Sequence, residues 1–225
     1  MTDAHALRRG FACALTLSTP FLLINLLDGF TKSALAATPA IFWAYDITKW
    51  ILLPAVTLFA MRLWCNAHVS DFGLQGPGER WSMTQLSALT VLFSALAMSY
   101  FGFQTLAVRV FPGGGTFDLG ELMPLGTAYL PVVLYLCATA AFVEELFYRG
   151  VLLEAMAPVG AGAGRAAGYV VLSSTLFGLS HFESGPAEIV ATGLYGAVAA
   201  LFALRVRNLW PLMVGHFATD FVAFH

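Results

Sequence analysis

Long apolar runs recur along the whole 225-residue chain, and they restrict its fold more than any other feature. A bilayer core of about 30 Å needs roughly 17–25 consecutive apolar residues in helical form. Runs of that order lie at 11–27, 41–65, 84–107, 124–156, 166–182, 186–204 and 209–225. They predict an all-α fold, a polytopic transmembrane helical bundle of about seven helices in one domain, 1–225. Only 11% of residues are charged and 59% are hydrophobic, with a mean hydropathy of +0.77. Soluble domains are about a quarter charged. The net charge of -2 offers no basic face for nucleic acid. Membrane lipid is therefore the first partner expected.

Glycine and proline inside the runs (Pro20, Pro54, Gly193, Gly196) are tolerated better in membrane helices than in soluble ones. Gly193 with Ala197, and Gly196 with Ala200, have the small-x-x-x-small spacing that lets helices approach closely. Asn66 to Trp81, with its Gly73-Leu74-Gln75-Gly76-Pro77-Gly78 stretch, reads as a turn. Phe111-Pro112-Gly113-Gly114-Gly115 reads as a break, and Pro158 to Gly164 as a hairpin between two helices. Arg8-Arg9 ahead of an apolar run loosely resembles a twin-arginine signal, with Ser33-Ala34-Leu35-Ala36 like a cleavage site. Six further runs follow, so a first membrane helix is the expectation. Arg8, Arg9, Arg62, Arg80, Arg149, Arg165, Arg205 and Arg207 fall toward one side of this topology, and Lys32, Lys49 and Arg109 toward the other. That bias places the N-terminus in the cytoplasm. Cys13, Cys65 and Cys137 lie in or beside apolar runs and read as small hydrophobic residues.

Three clusters interrupt this apolar background: Glu144-Glu145-Leu146-Phe147-Tyr148-Arg149, Phe177-Gly178-Leu179-Ser180-His181 and His216-Phe217-Ala218-Thr219-Asp220. Ionisable groups at membrane depth are costly, so they pair, bind or react. Arg149 follows Glu145 by four residues, a helical ion-pair spacing. Glu144, about 100° round the helix, is left to face the interior as a candidate general base. Glu144 lies 18 residues before Gly162 and His181 lies 19 after it. A helical hairpin would set both at one height, roughly 20 Å or more from the turn. His216 and Asp220 share a helix face. Asp220 either orients the imidazole or joins it as a metal ligand. A base, two imidazoles and a possible zinc ion suit activation of water and stabilisation of a tetrahedral oxyanion. Asp28, Asp46 with Lys49, and Glu183 with Glu188 lie near run ends, where solvation is expected to suffice. His5 and His68 read as exposed, and His225 is uninformative.

The ordered motifs E-E-x-x-x-R, F-x-x-x-H and H-x-x-x-N/D, with Gly150 and the run from Pro211 to His216, resemble the CPBP intramembrane proteases. That family comprises CAAX-prenyl endopeptidases and bacterial bacteriocin-processing or immunity (Abi) proteins. The motif core spans 144–220, and upstream the likeness is in hydropathy alone. The resemblance implies a hydrolase of the bacterial plasma membrane acting on a peptide or lipidated protein. It implies Glu144 as the base that activates water, Glu145 as a supporting acid, and His181 and His216 as site imidazoles. Asp220 is the further site residue, standing where many members carry Asn, with Arg149 and Phe177 in support. Members are called metalloproteases, which implies His181 and His216 as zinc ligands; a metal-free glutamate mechanism is the alternative. An ionised Asp220 can ligate a metal but cannot donate a hydrogen bond. The chain ends five residues after Asp220, short of the further helix common in the family. Two other classes fit a buried Glu/His/Asp cluster: a proton-coupled transporter, and a non-catalytic immunity or scaffold protein of the same fold. A transporter usually shows repeated halves, and no repeat is visible.

Overall fold

The structure, a computed structural model, describes residues 2–35, 38–78, 80–113, 123 and 126–224, with the backbone alone for 2–10 and 33. The described residues form helices and connecting turns, as the apolar runs predict. The helices are α1 (Thr2–Leu26), α2 (Asp28–Leu35), α3 (Pro39–Trp64), α4 (Met83–Val110), α5 (Gly126–Met156), α6 (Ala163–Leu179), α7 (Pro186–Val206) and α8 (Trp210–Ala223). Four of them, α3, α4, α5 and α7, are long and apolar enough to cross a membrane. The protein is an integral membrane protein by this measure.

Local sequence explains where the helices start. Pro39, Pro186 and Pro211 occupy first-turn positions of α3, α7 and α8, where a missing N–H costs nothing. Ser82 and Gln85 form a reciprocal capping box at the start of α4. The predicted turn at 66–81 is pinned to the start of α8. Trp81 Nε1 donates to Val206 O at 3.0 Å, Asn208 Nδ2 to Gln75 O at 3.1 Å, and Leu209 N to Gly73 O at 2.9 Å.

α5 is the axis of the bundle. Every side chain from Val143 to Leu153 is buried. Phe147 packs with Phe21 and Trp50 from α1 and α3, while Tyr148 packs with Phe177 and Tyr195 from α6 and α7. Over Glu145–Val151 the helix widens into a π-helical turn, a feature often found at functional sites. The widened turn leaves the Tyr148 carbonyl able to accept from Ser173 Oγ at 3.0 Å. α6 and α7 form the tightest pair. A methyl at Gly178 would lie 2.6 Å from Ile189 O and 3.1 Å from Gly193 Cα. The expected small-residue packing of Gly193 and Gly196 is therefore real, with Gly178 as the closest point.

Four expectations are corrected. Cys13 and Cys65 are not plain hydrophobic fillers: they form a disulfide, with Cα atoms 5.7 Å apart. The antiparallel packing of α1 on α3 brings them together across 52 residues; Cys137 is buried and free. A short helix, α2, follows the first run and was not expected. Asp28, Asp46, Lys49 and Glu183 are buried rather than solvated, because α2 folds back onto α3 and onto the turn after α6. Lys49 and Lys32 reach Asp28 at 2.6 and 2.7 Å, and Lys32 reaches Glu183 at 3.4 Å. Finally, α6 ends at Leu179, so His181 sits just past the helix rather than inside the 166–182 run. Gly114, Gly115, Ala36 and His225 lie outside the described residues, as do the side chains of His5, Arg8, Arg9 and Ser33.

Gly178→Ala should destabilise the fold by about 1–3 kcal/mol, because backbone rather than a flexible side chain opposes the methyl. Gly168 has open space around it. Gly168→Ala should be neutral or stabilising by up to about 1 kcal/mol. Thermal unfolding of both variants in detergent checks the contrast.

Candidate active site

The three sequence clusters meet where α5, α6 and α8 approach. Glu144 ends the α-helical part of α5, and Glu145 opens the π turn. His216 projects from α8 onto Glu145. Its Nδ1 lies 2.9 Å from Glu145 Oε1, and Arg149 Nη1 lies 3.2 Å from the same oxygen. The Glu145–Arg149 spacing read from the sequence is thus an ion pair, with both side chains fully buried. Because the paired carboxylate accepts, His216 Nδ1 donates, and its Nε2 is the ring atom left for the cavity. That Nε2 lies 3.7 Å from Glu144 Oε2 and 3.5 Å from Asp220 Oδ1. The carboxylate that orients His216 through Nδ1 is therefore Glu145; Asp220 stands at the opposite nitrogen.

His181 is fixed in a similar way by backbone. Its Nδ1 lies 2.9 Å from Phe177 O and 3.2 Å from Ser180 Oγ. A carbonyl only accepts, so Nδ1 carries the proton and Nε2 carries the lone pair. Phe177 joins the parts. Its ring lies 5.0 Å from the His181 ring and 5.9 Å from the His216 ring. The two imidazoles are therefore no further apart than those two distances together. The Arg149 guanidinium stacks on Phe177 with Cζ 4.0 Å from the ring centre, a cation–π contact strengthened by burial.

Glu144, His181, His216 and Asp220 line one cavity of about 270 Å³. Glu145 and Arg149 stand behind it rather than on its wall. A second chamber of about 140 Å³ shares His181, His216 and Asp220 and is completed by Phe177, Tyr195, Glu188 and Tyr100. Among the described residues, no three His, Cys, Asp or Glu side chains are grouped so as to hold a metal ion. His181 and His216 are the imidazoles expected to hold zinc, and the carboxylates that could join them are Glu144 and Asp220, on the same cavity wall.

Several site residues were not singled out from the sequence. Lys32, Asp46 and Glu183 line the larger cavity. Glu188, read as a solvated helix end, instead lines the smaller chamber. It accepts from Tyr100 OH at 2.5 Å and from Gln104 Nε2 at 3.1 Å. Spacing did carry a signal for these residues. Asp28 and Lys32, and Tyr100 and Gln104, are i,i+4 polar pairs, and Glu188, Thr192 and Tyr195 share one face of α7.

Residues 126–222 match the model of the type II CAAX prenyl endopeptidase Rce1-like family. The matched stretch runs from α5 to α8 and contains all three clusters, as the resemblance of the motifs to CAAX proteases required. The family it matches is one of membrane proteases. No curated protein and no solved structure gives a match.

Arg149→Ala should cost about 3–5 kcal/mol, since it leaves the Glu145 charge buried without its cation. Loss of monodisperse protein on size exclusion, together with loss of activity, is the expected outcome. A stable but inactive Arg149→Ala protein would assign Arg149 a direct part in the chemistry.

Proposed function

We propose that the protein is an intramembrane endopeptidase in which Glu144 activates the attacking water. The observation that carries this reading is the division of labour between adjacent acids. Glu145 is committed to Arg149 and His216, while Glu144 stands on the wall of the cavity that His181 and His216 also line. Glu144 takes a proton from a water whose other hydrogen is accepted by His181 Nε2. The hydroxide formed attacks the scissile carbonyl carbon. Charge then develops on the carbonyl oxygen. With its ring protonated, His216 presents Nε2–H toward that charge, and Glu145 at Nδ1 stabilises the imidazolium. Collapse of the tetrahedral intermediate breaks the C–N bond, and Glu144 returns its proton to the leaving amine. Asp220, beside His216 Nε2, holds that N–H in place between turnovers.

The substrate class is a peptide, or a lipidated protein presenting one, delivered from the bilayer. CAAX-type prenylated peptides and bacteriocin-related peptides are the two classes to compare. The alternatives of a proton-coupled transporter and a non-catalytic scaffold require no cleavage of either.

Glu144→Gln should lower the hydrolysis rate by about 10²–10⁴-fold, the usual range for losing a general base. It should leave the melting temperature near wild type, because the amide is isosteric. Hydrolysis of farnesylated and unlipidated fluorogenic peptides by purified protein is the assay. Undiminished hydrolysis in the variant removes Glu144 from the mechanism, and cleavage of neither peptide by wild type returns the alternatives to the front.

We propose also that the N-terminus and the turn at 157–162 face the cytoplasm of a bacterial cell. Arg62, Arg80, Arg165 and Arg205 are exposed at that end of the bundle. Lys32 and Lys49, counted on the opposite side, are engaged in ion pairs with Asp28 and do not act as loop charges. In this orientation Cys13 and Cys65 face a reducing compartment. Protein alkylated in intact cells should then carry both as thiols, and the bond should form on aerobic purification. A bond already present in cells, or labelling of Ala163→Cys from the outside, reverses the assignment.

A further inference from the structure

The smaller chamber, lined from α4, α6, α7 and α8, combines two features. The first is a set of aromatic walls. Tyr195 lies 6.3 Å from Tyr100 with the ring planes at 84°, and 6.0 Å from Phe177. The second is a carboxylate without a matching cation. Glu188 lines the space, and among the described residues no lysine or arginine does; Asp220 lines it as well, but stands 3.5 Å from His216 Nε2 and is balanced there. Tyr100 and Gln104 hold the two oxygens of Glu188, but both are neutral donors that orient the carboxylate without balancing its charge. Glu188 also sits in the first turn of α7, where a negative charge is favoured by the helix dipole.

We propose that this chamber is a subsite for a cationic side chain, lysine or arginine, lying beside the scissile bond of the peptide substrate. The proposal rests on the protease reading, since the chamber shares His181, His216 and Asp220 with the cavity that holds Glu144. Three physical terms favour a cation over an uncharged chain of the same length. The Glu188 carboxylate in a low-dielectric space attracts it more strongly than it would in water. The rings of Tyr100 and Tyr195 line the space, and an aromatic face attracts a cation where an uncharged chain gains no such term. An ammonium or guanidinium also brings donors, and the Glu188 oxygens have lone pairs beyond the two that Tyr100 and Gln104 occupy. Size agrees: the chamber measures about 140 Å³, and a cavity of about 150 Å³ is known to take benzene. Lys32 lines only the larger cavity, so the two chambers differ in charge and would receive different parts of the substrate.

The test uses the full chain in nanodiscs, carrying Glu144→Gln so that bound peptide is not consumed. Fluorescent peptides are paired, identical except for lysine or norleucine at one position, with that position scanned across the scissile bond. At one position the lysine peptide should bind at least tenfold more tightly, and adding Glu188→Gln should bring the ratio close to one. With Glu144 intact, Glu188→Gln should lower the lysine-to-norleucine ratio of kcat/KM to a similar extent. Should Glu188→Gln fail to fold, wild type supplies the reading: n-butylammonium should compete with the lysine peptide, and n-butanol at the same concentration should not. Equal binding of the paired peptides at every position, or a lysine preference that survives Glu188→Gln, or equal competition by the alcohol, overturns the proposal. A lysine preference in binding without cleavage of either peptide by wild type would instead sink the protease reading and leave the cation subsite standing.

Discussion

The Glu145 carboxylate, shut away from solvent at the centre of α5, is the group on which the rest of the structure depends. It is shared by Arg149 of its own helix and His216 of α8. A buried anion is tolerable only when paired, and removing a partner costs more than the pair is worth. That asymmetry ties α8 to α5 in one register. It also sets the tautomer of His216, because Nδ1 must donate to the carboxylate. Through Arg149 and its contact with Phe177, the same charge reaches α6, and Phe177 in turn meets both imidazoles. A single ion pair therefore positions side chains on three helices. Its neighbour Glu144 stands on the cavity wall, 3.7 Å from His216 Nε2.

Around this centre the polar groups divide into two compartments. The larger cavity takes Glu144 together with the edge of the Asp28, Lys32, Lys49 and Glu183 cluster, which α2 closes over. The smaller chamber is aromatic and carries the Glu188 carboxylate. His181, His216 and Asp220 stand between the two. A peptide whose scissile bond lies at that partition would place its two flanking segments in environments of different charge. Selectivity would then follow from the chambers and not from the catalytic groups themselves.

Much of this was legible in the sequence because membrane burial makes period and spacing unusually informative. The apolar runs located seven of the eight helices, since no other backbone form satisfies its hydrogen bonds in a bilayer. The i,i+4 rule exposed the Glu145–Arg149 pair, and symmetry about Gly162 brought Glu144 and His181 toward one level. What was not legible depended on chain reversals. The return of α2 over α3 follows a turn at Leu27, just ahead of Asp28-Gly29; that dipeptide marks a turn but not the direction of the chain beyond it, so the charged residues there read as solvated ends. The disulfide needed α1 and α3 to be adjacent, which spacing alone does not say. The π turn at Glu145–Val151 has no sequence mark, yet it lies directly after Glu144. Glu188 was discounted for lying at a helix start. That position is in fact what presents it to the smaller chamber.

The account's central claim is that Glu144 acts on water and does not itself attack the peptide. Single-turnover hydrolysis in ¹⁸O-enriched water, followed by mass spectrometry of both product and protein, addresses it directly. A general base predicts ¹⁸O in the new product carboxylate on the first turnover and none in the Glu144 side chain. An unlabelled first product together with ¹⁸O in Glu144 would show a covalent acyl-enzyme at that carboxylate and would contradict the account.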